Sequence, residues 1–124
     1  MVPFSEKDII EQREWLKKRQ KRQEEEKKIL REEALSKAKE IAKFIRQRYG
    51  VKDVYLFGSL ADENAFFTPI SDIDIFIAGK IEGSFFKMVA ECVDLAVPFQ
   101  VHLVLEEDAP ASLVEKVYRE GKKL

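Results

Sequence analysis

Two aspartates one residue apart, Asp72 and Asp74 in the run SDIDIFIAG, are the side chains of this 124-residue sequence whose type and spacing most directly suggest chemistry. On a strand, positions i and i+2 share a face, with their backbones about 7 Å apart. Like charges held there repel each other, so a purely structural strand has little use for the pair. A divalent cation reverses that balance: Mg²⁺ prefers oxygen ligands and commonly takes one or two carboxylates together with substrate phosphates. The structural alternative is an exposed edge strand that carries acids against aggregation. Gly58-Ser59 stands directly after the apolar run VYLF. A glycine there lets a phosphate approach the backbone, Ser59 offers a hydroxyl, and the start of a short helix would offer free N–H groups. An ordinary strand-to-helix turn capped by serine is the structural counterpart. Taken together, the two features describe one site, a triphosphate held on the Gly-Ser turn with its metal on the Asp pair.

The surrounding pattern places these residues on short strands alternating with helices. DVYLF (53–57) is a short apolar run ending at Gly-Ser, and SDIDIFIAG (71–79) alternates polar and apolar residues before stopping at Gly79. SFFKMVAECVDLA (84–96) reads as a helix, with Pro98 just beyond it. FQVHLVL (99–105) reads as a strand with Phe99, Val101, Leu103 and Leu105 on one face and Gln100, His102 and Val104 on the other. PASLVEKVYREGK (110–122) is a final amphipathic helix, with Pro110 in its first turn and Gly121 at its end. The order α-β-α-β-α-β-α predicts a small α/β (α+β) domain with a three-stranded core sheet flanked by helices.

Ahead of the first strand lies a long helical stretch with no Gly or Pro between Phe4 and Tyr49. Ser5 follows Pro3-Phe4 as an N-cap, Asp8 supplies an acidic first turn, and Gly50 is the stop. As one helix it would be about 66 Å long at 1.5 Å per residue. Glu14–Lys18, Glu24–Lys28 and Glu33–Lys37 are i,i+4 pairs in the favourable order. Leu30, Ala34, Ala38, Ile41 and Ile45 form a stripe that predicts packing on the body. Residues 17–28 contain no apolar side chain, whereas Ile9, Ile10, Trp15 and Leu16 before them do. This divides the chain into a charged helical arm (1–29), continuous with the next helix, and a domain (30–124). Two readings of the arm stand: an apolar tip that meets another chain, or a helix–turn–helix whose tip folds back.

Charge and composition narrow the classes. Residues 1–50 hold 15 basic and 10 acidic side chains and residues 51–124 hold 7 and 13, so a basic N-terminal segment precedes an acidic body. The overall balance of −1 excludes a bulk polycation that coats nucleic acid. The Lys17–Arg22 run reads as a solvated helix face rather than a nucleic-acid site. One cysteine, Cys92, excludes a disulfide framework and a four-cysteine zinc site. No apolar run approaches the roughly 20 residues of a membrane span, and no signal-peptide pattern is present, so a soluble cytoplasmic protein is expected.

The segment YLFGSLADENAFFTPISDIDIFIAG resembles the nucleotidyltransferase superfamily, whose signature is a Gly-Ser turn followed by Asp-x-Asp on a strand. By size the chain is similar to the minimal nucleotidyltransferases paired with HEPN-domain toxins, among which family members act as antitoxins. The resemblance covers roughly residues 30–124. It implies that Gly58 and Ser59 grip nucleotide phosphates and that Asp72 and Asp74 bind two metal ions, expected to be Mg²⁺. It further implies transfer of a nucleoside monophosphate from an NTP, with ATP the implied donor, to an acceptor hydroxyl, for the antitoxin branch one on a partner HEPN toxin. The family's third carboxylate falls in a Val-Asp-Leu-Val-like strand, where this chain has Val101-His102-Leu103-Val104. A neutral imidazole serves as a base or as a ligand for a softer metal, and is a poor oxygen-ligand substitute for Mg²⁺. The family's Gly-Ser-x-Ala-x-Gly run reads Leu60-Ala61-Asp62-Glu63 after the serine here, and two acids beside a triphosphate disfavour it. Two functions therefore remain: an Mg-dependent nucleotidyltransferase using Asp72, Asp74 and His102, or a degenerate module of the same fold that neutralises a partner by occlusion. Self-association through the N-terminal helix is a further expectation.

Overall fold

The structure, a computed structural model, describes residues 5–124, and its longest element is the helix α1 (Glu6–Tyr49). One continuous helix therefore replaces the folded-back alternative. A capping box starts it: Ser5 Oγ accepts from the Asp8 N–H at 3.2 Å, and the Asp8 carboxylate accepts from the Ser5 N–H at 3.3 Å. Gly50, at φ +64°, ends it in the left-handed conformation that glycine adopts without strain. Pro3 and Phe4, expected ahead of the cap, lie outside the described residues. Residues 5–29 are exposed, and burial begins beyond them with Ala34, Ala38, Ile41, Ala42, Ile45 and Tyr49. The expected i,i+4 ion pairs do not close: among the described residues Lys37 reaches Glu40 instead, at 3.8 Å. Long exposed side chains gain little from being held together in water.

Four strands follow: β1 (Asp53–Phe57), β2 (Asp72–Ala78), β3 (Gln100–Leu105) and the two-residue β4 (Lys122–Lys123). Their order in the sheet is β3-β2-β1-β4, with β2 and β3 parallel and the other pairs antiparallel. The expected three-stranded sheet thus gains a short edge strand, fixed where the Leu124 N–H donates to the Val54 carbonyl at 2.8 Å. Helix α2 (Phe85–Ala96) begins at the cap Ser84 and connects β2 to β3. Helix α3 is Ala111–Glu120, with Pro110 at its cap position rather than inside its first turn. The helix expected after Gly58-Ser59 is a single 3-10 turn, Gly58–Leu60, followed by a loop.

Period-2 alternation sorts the sheet into two faces. Val54, Leu56, Ile73, Ile75, Ile77, Leu103 and Leu105 point into the core with the stripe of α1 and with Met88, Cys92 and Ala96 of α2. At about 25 cal/mol per Å² of apolar surface removed from water, this layer is the main source of stability. The opposite face is split along its length. At one end Tyr55, Phe76 and Tyr118 of α3 stack edge-to-face, with centroids 5.3–6.3 Å apart, and cover the sheet. At the other end lie Asp72, Asp74, Gln100 and His102, which are not buried.

Candidate active site

Strand register brings the sequence-predicted residues together. Asp74 is paired with Phe57 on one side and with His102 on the other, and Asp72 with Gln100. Gly58 follows Phe57 directly, so the turn and the acidic strand meet at the same sheet end. His102 Nδ1 lies 3.3 Å from Asp74 Oδ1. An ionised carboxylate only accepts, so the imidazole donates from Nδ1, and in its neutral form it then has its lone pair on Nε2. Gly58 sits at φ +72°, and a Cβ there would lie 3.0 Å from Asp74 Cγ and closer still to its Oδ2. The glycine is required twice, for its backbone conformation and for the room it leaves the carboxylate.

The two acids differ. Asp72 is exposed and Asp74 half-buried. Burial pushes the Asp74 carboxyl above its ordinary value, the His102 contact partly offsets this, and the Asp72 charge adds to the rise. Asp72 and Asp74 fit a divalent cation, since both offer hard oxygen donors from one face. Among the described residues no three His, Cys, Asp or Glu side chains converge to enclose a metal ion. A cation held here would complete its shell with water and substrate oxygens, as Mg²⁺ commonly does.

Ser59 belongs to a cleft of about 910 Å³ between the loop 61–65 and α3, lined also by Gly58, Lys116 and Lys122. The two loop acids are engaged: the Asp62 carboxylate accepts from the Asn64 N–H at 2.9 Å, and Glu63 lies 3.5 Å from Lys122 Nζ. Past β3, the Glu106 carboxylate accepts from the Gly79 N–H and the Tyr118 hydroxyl, tying β2 to α3 away from the site. Arg31 also reaches this region, although no sequence motif marks it. Its guanidinium donates to the carbonyls of Ser59, Leu60, Asp62 and Ala65 at 2.7–3.3 Å. The available signal was its place on the helical stripe, seven residues before Ala38, where a charge needs a partner.

The sequence matches the family model described as polymerase beta, nucleotidyltransferase, over residues 39–124. The chain belongs to this nucleotidyltransferase family. The match takes in the Gly-Ser turn, the Asp pair and His102, and leaves most of α1 outside it. The fold is similar to solved structures of the MntA-HepT toxin-antitoxin. One is 22% identical with a TM-score of 0.52, covering 72% of this chain and 69% of that one. A mutant form is 24% identical with a TM-score of 0.53, covering 70% of each chain. A second mutant form is 20% identical with a TM-score of 0.52, covering 71% and 69%. No curated protein matches the sequence. No helix among the described residues is long and apolar enough to cross a membrane.

Proposed function

We propose that this nucleotidyltransferase-family chain transfers a nucleoside monophosphate from ATP to a hydroxyl on a partner protein of the HEPN toxin type, and so acts as an antitoxin. The observation that carries the reading is the meeting of Asp74, His102 and Gly58 at one sheet end, within the matched region. Similarity to a fold found in a toxin-antitoxin pair supports the class of partner. Gly58 and Ser59 would hold the nucleotide's phosphates, and Asp72 and Asp74 would hold two divalent cations, expected to be Mg²⁺. Bound there, the cations would neutralise phosphate charge. His102, oriented by Asp74 through Nδ1, takes the acceptor's proton at Nε2. The acceptor oxygen then bonds to the α-phosphorus as the bond to the β-phosphate oxygen breaks and pyrophosphate leaves.

The experiment is transfer of label from α-³²P-ATP to the partner in the presence of Mg²⁺. Wild type should label it, Asp72→Asn and Asp74→Asn should not, and His102→Ala should slow transfer by roughly 10²–10⁴-fold. A second reading has its own observation. By the resemblance, His102 occupies the position expected of a third carboxylate, and a neutral imidazole there favours a module that binds its partner and performs no transfer. If wild type and Asp72→Asn bind the partner equally and neither labels it, that second reading replaces the first.

A further inference from the structure

Arg31 is the one side chain of α1 whose hydrogen bonds go to the backbone around the Gly-Ser turn. It draws four carbonyls, those of Ser59, Leu60, Asp62 and Ala65, onto one guanidinium. One turn earlier on the same helix, Lys27 Nζ lies 5.5 Å from the centroid of the Phe66 ring. Helix α1 thus touches the loop twice, at positions four residues apart on one face. Burial of the Leu60 side chain in the core anchors one end of the turn, and Arg31 holds its carbonyls. The turn's own backbone bonds are those from the Ala61 and Asp62 N–H groups to the Gly58 carbonyl. Between Leu60 and the buried Phe67 only Ala61 and Ala65 are half-buried, with the Asp62–Asn64 and Glu63–Lys122 contacts as the loop's other ties. A guanidinium presents five donors in a fixed fork, so several carbonyls can be fixed relative to one another. A lysine ammonium is a compact point charge on a flexible stem and lacks that planar fork.

We infer that Arg31 is a positioning residue that sets the conformation of the Gly58–Ser59 turn, making the long helix, rather than the sheet alone, the element that shapes the phosphate grip. The C=O and N–H of a trans peptide point in opposite directions, so drawing the Ser59 carbonyl to Arg31 turns the Leu60 N–H away from α1. Among the described residues the Ser59 hydroxyl makes no hydrogen bond, which leaves it free for a ligand. The consequence for ligand binding rests on the nucleotidyltransferase reading, whereas the hold on the turn does not.

The test uses the full chain as wild type, Arg31→Lys and Arg31→Gln, with two readouts. The first is hydrogen–deuterium exchange without nucleotide. Exchange across 58–65 should rise about tenfold or more in Arg31→Gln and by less in Arg31→Lys, with β1, β2 and β3 unchanged. The second is affinity for ATP with Mg²⁺, which should fall about tenfold in Arg31→Gln and recover in part in Arg31→Lys. Unchanged exchange across 58–65 would overturn the inference. So would a rise spread evenly over the whole domain, which would make Arg31 a general packing residue. A local rise of exchange in a chain whose wild type binds no ATP would leave the hold on the turn standing and remove the nucleotide reading.

Discussion

Replacing Gly58 by alanine would set a methyl group against the Asp74 carboxylate at a backbone φ of +72°. Either the turn or the acid has to move, and the backbone conformation alone costs about 1–3 kcal/mol for a residue with a side chain. Gly58→Ala should lower stability by that amount in a urea titration, and should weaken ATP binding through the displaced carboxylate. Asp74→Asn is predicted to act in the opposite sense. A carboxyl whose folded pKa is raised favours the folded state below its unfolded value, 3.8 here, and that contribution is lost as pH rises through the folded value. At neutral pH the half-buried charge beside Asp72 opposes folding. In metal-free buffer Asp74→Asn should therefore melt higher than wild type at pH 7, and the two chains should converge at pH 3. Loss of nucleotide transfer in the same variant would show a residue kept for function against stability. Asp72, Asp74 and Gly58-Ser59 were legible because each pair sits within a few residues of sequence. The His102–Asp74 contact was not, since it depends on parallel pairing of β2 and β3, and neither strand encodes its neighbour. Arg31 was hidden for a related reason: its partners are backbone carbonyls 28–34 residues away, and carbonyls carry no sequence signal.

The elements were read most accurately where hydrophobic periodicity and punctuation agree. Strand β1 spans the residues expected, and α1 starts at the expected cap and stops at the expected glycine. Misreadings fell where tertiary contact makes the element. Lys122–Lys123 has no strand pattern and pairs only because β1 offers an open edge. The turn after β1 is one 3-10 turn, and its Ser59 and Leu60 carbonyls bond to Arg31 rather than to a helical ladder. Cys92 lies inside α2, where burial pushes its thiol up to about 12. Because Cys92 is fully buried, a thiol reagent should label it only through opening of the domain, and labelling should accelerate in destabilising urea. The capping box allows a separate test of how independent the arm is. Ser5→Ala removes an N-cap whose loss typically costs about 1 kcal/mol, yet no residue from 5 to 29 is buried. The substitution should fray the first turns, seen as reduced ellipticity at 222 nm, while the unfolding midpoint of the domain stays where it is. A matching fall in the midpoint would mean that the arm and the body unfold together.

Across the whole molecule, the near-zero net charge conceals a division of labour. The acidic body carries the site, and the basic-to-mixed shaft carries a tip whose Ile9, Ile10, Trp15 and Leu16 are all exposed. A helical extension whose tertiary contact is Lys27 over the Phe66 ring has little beyond propensity and capping to sustain it. Exposed tryptophan and isoleucine on such an extension are better accounted for by a second chain than by the fold of this one. Deleting residues 1–28 should then separate the two roles. Because burial begins only beyond the deletion, the truncated chain should keep the urea midpoint of the full chain, with an unfolding free energy within about 0.5 kcal/mol of it. The deletion removes Trp15, the sole tryptophan, so the comparison has to be made by circular dichroism or tyrosine fluorescence. Arg31 and its four carbonyls survive the cut, so ATP binding should persist, while capture of the partner should weaken or vanish. Persistent capture would place the partner on the body, around the exposed Phe66 and Ile70 beside the site. A collapsed midpoint would show instead that the arm supports the domain, and the case for an outward-facing tip would fail with it.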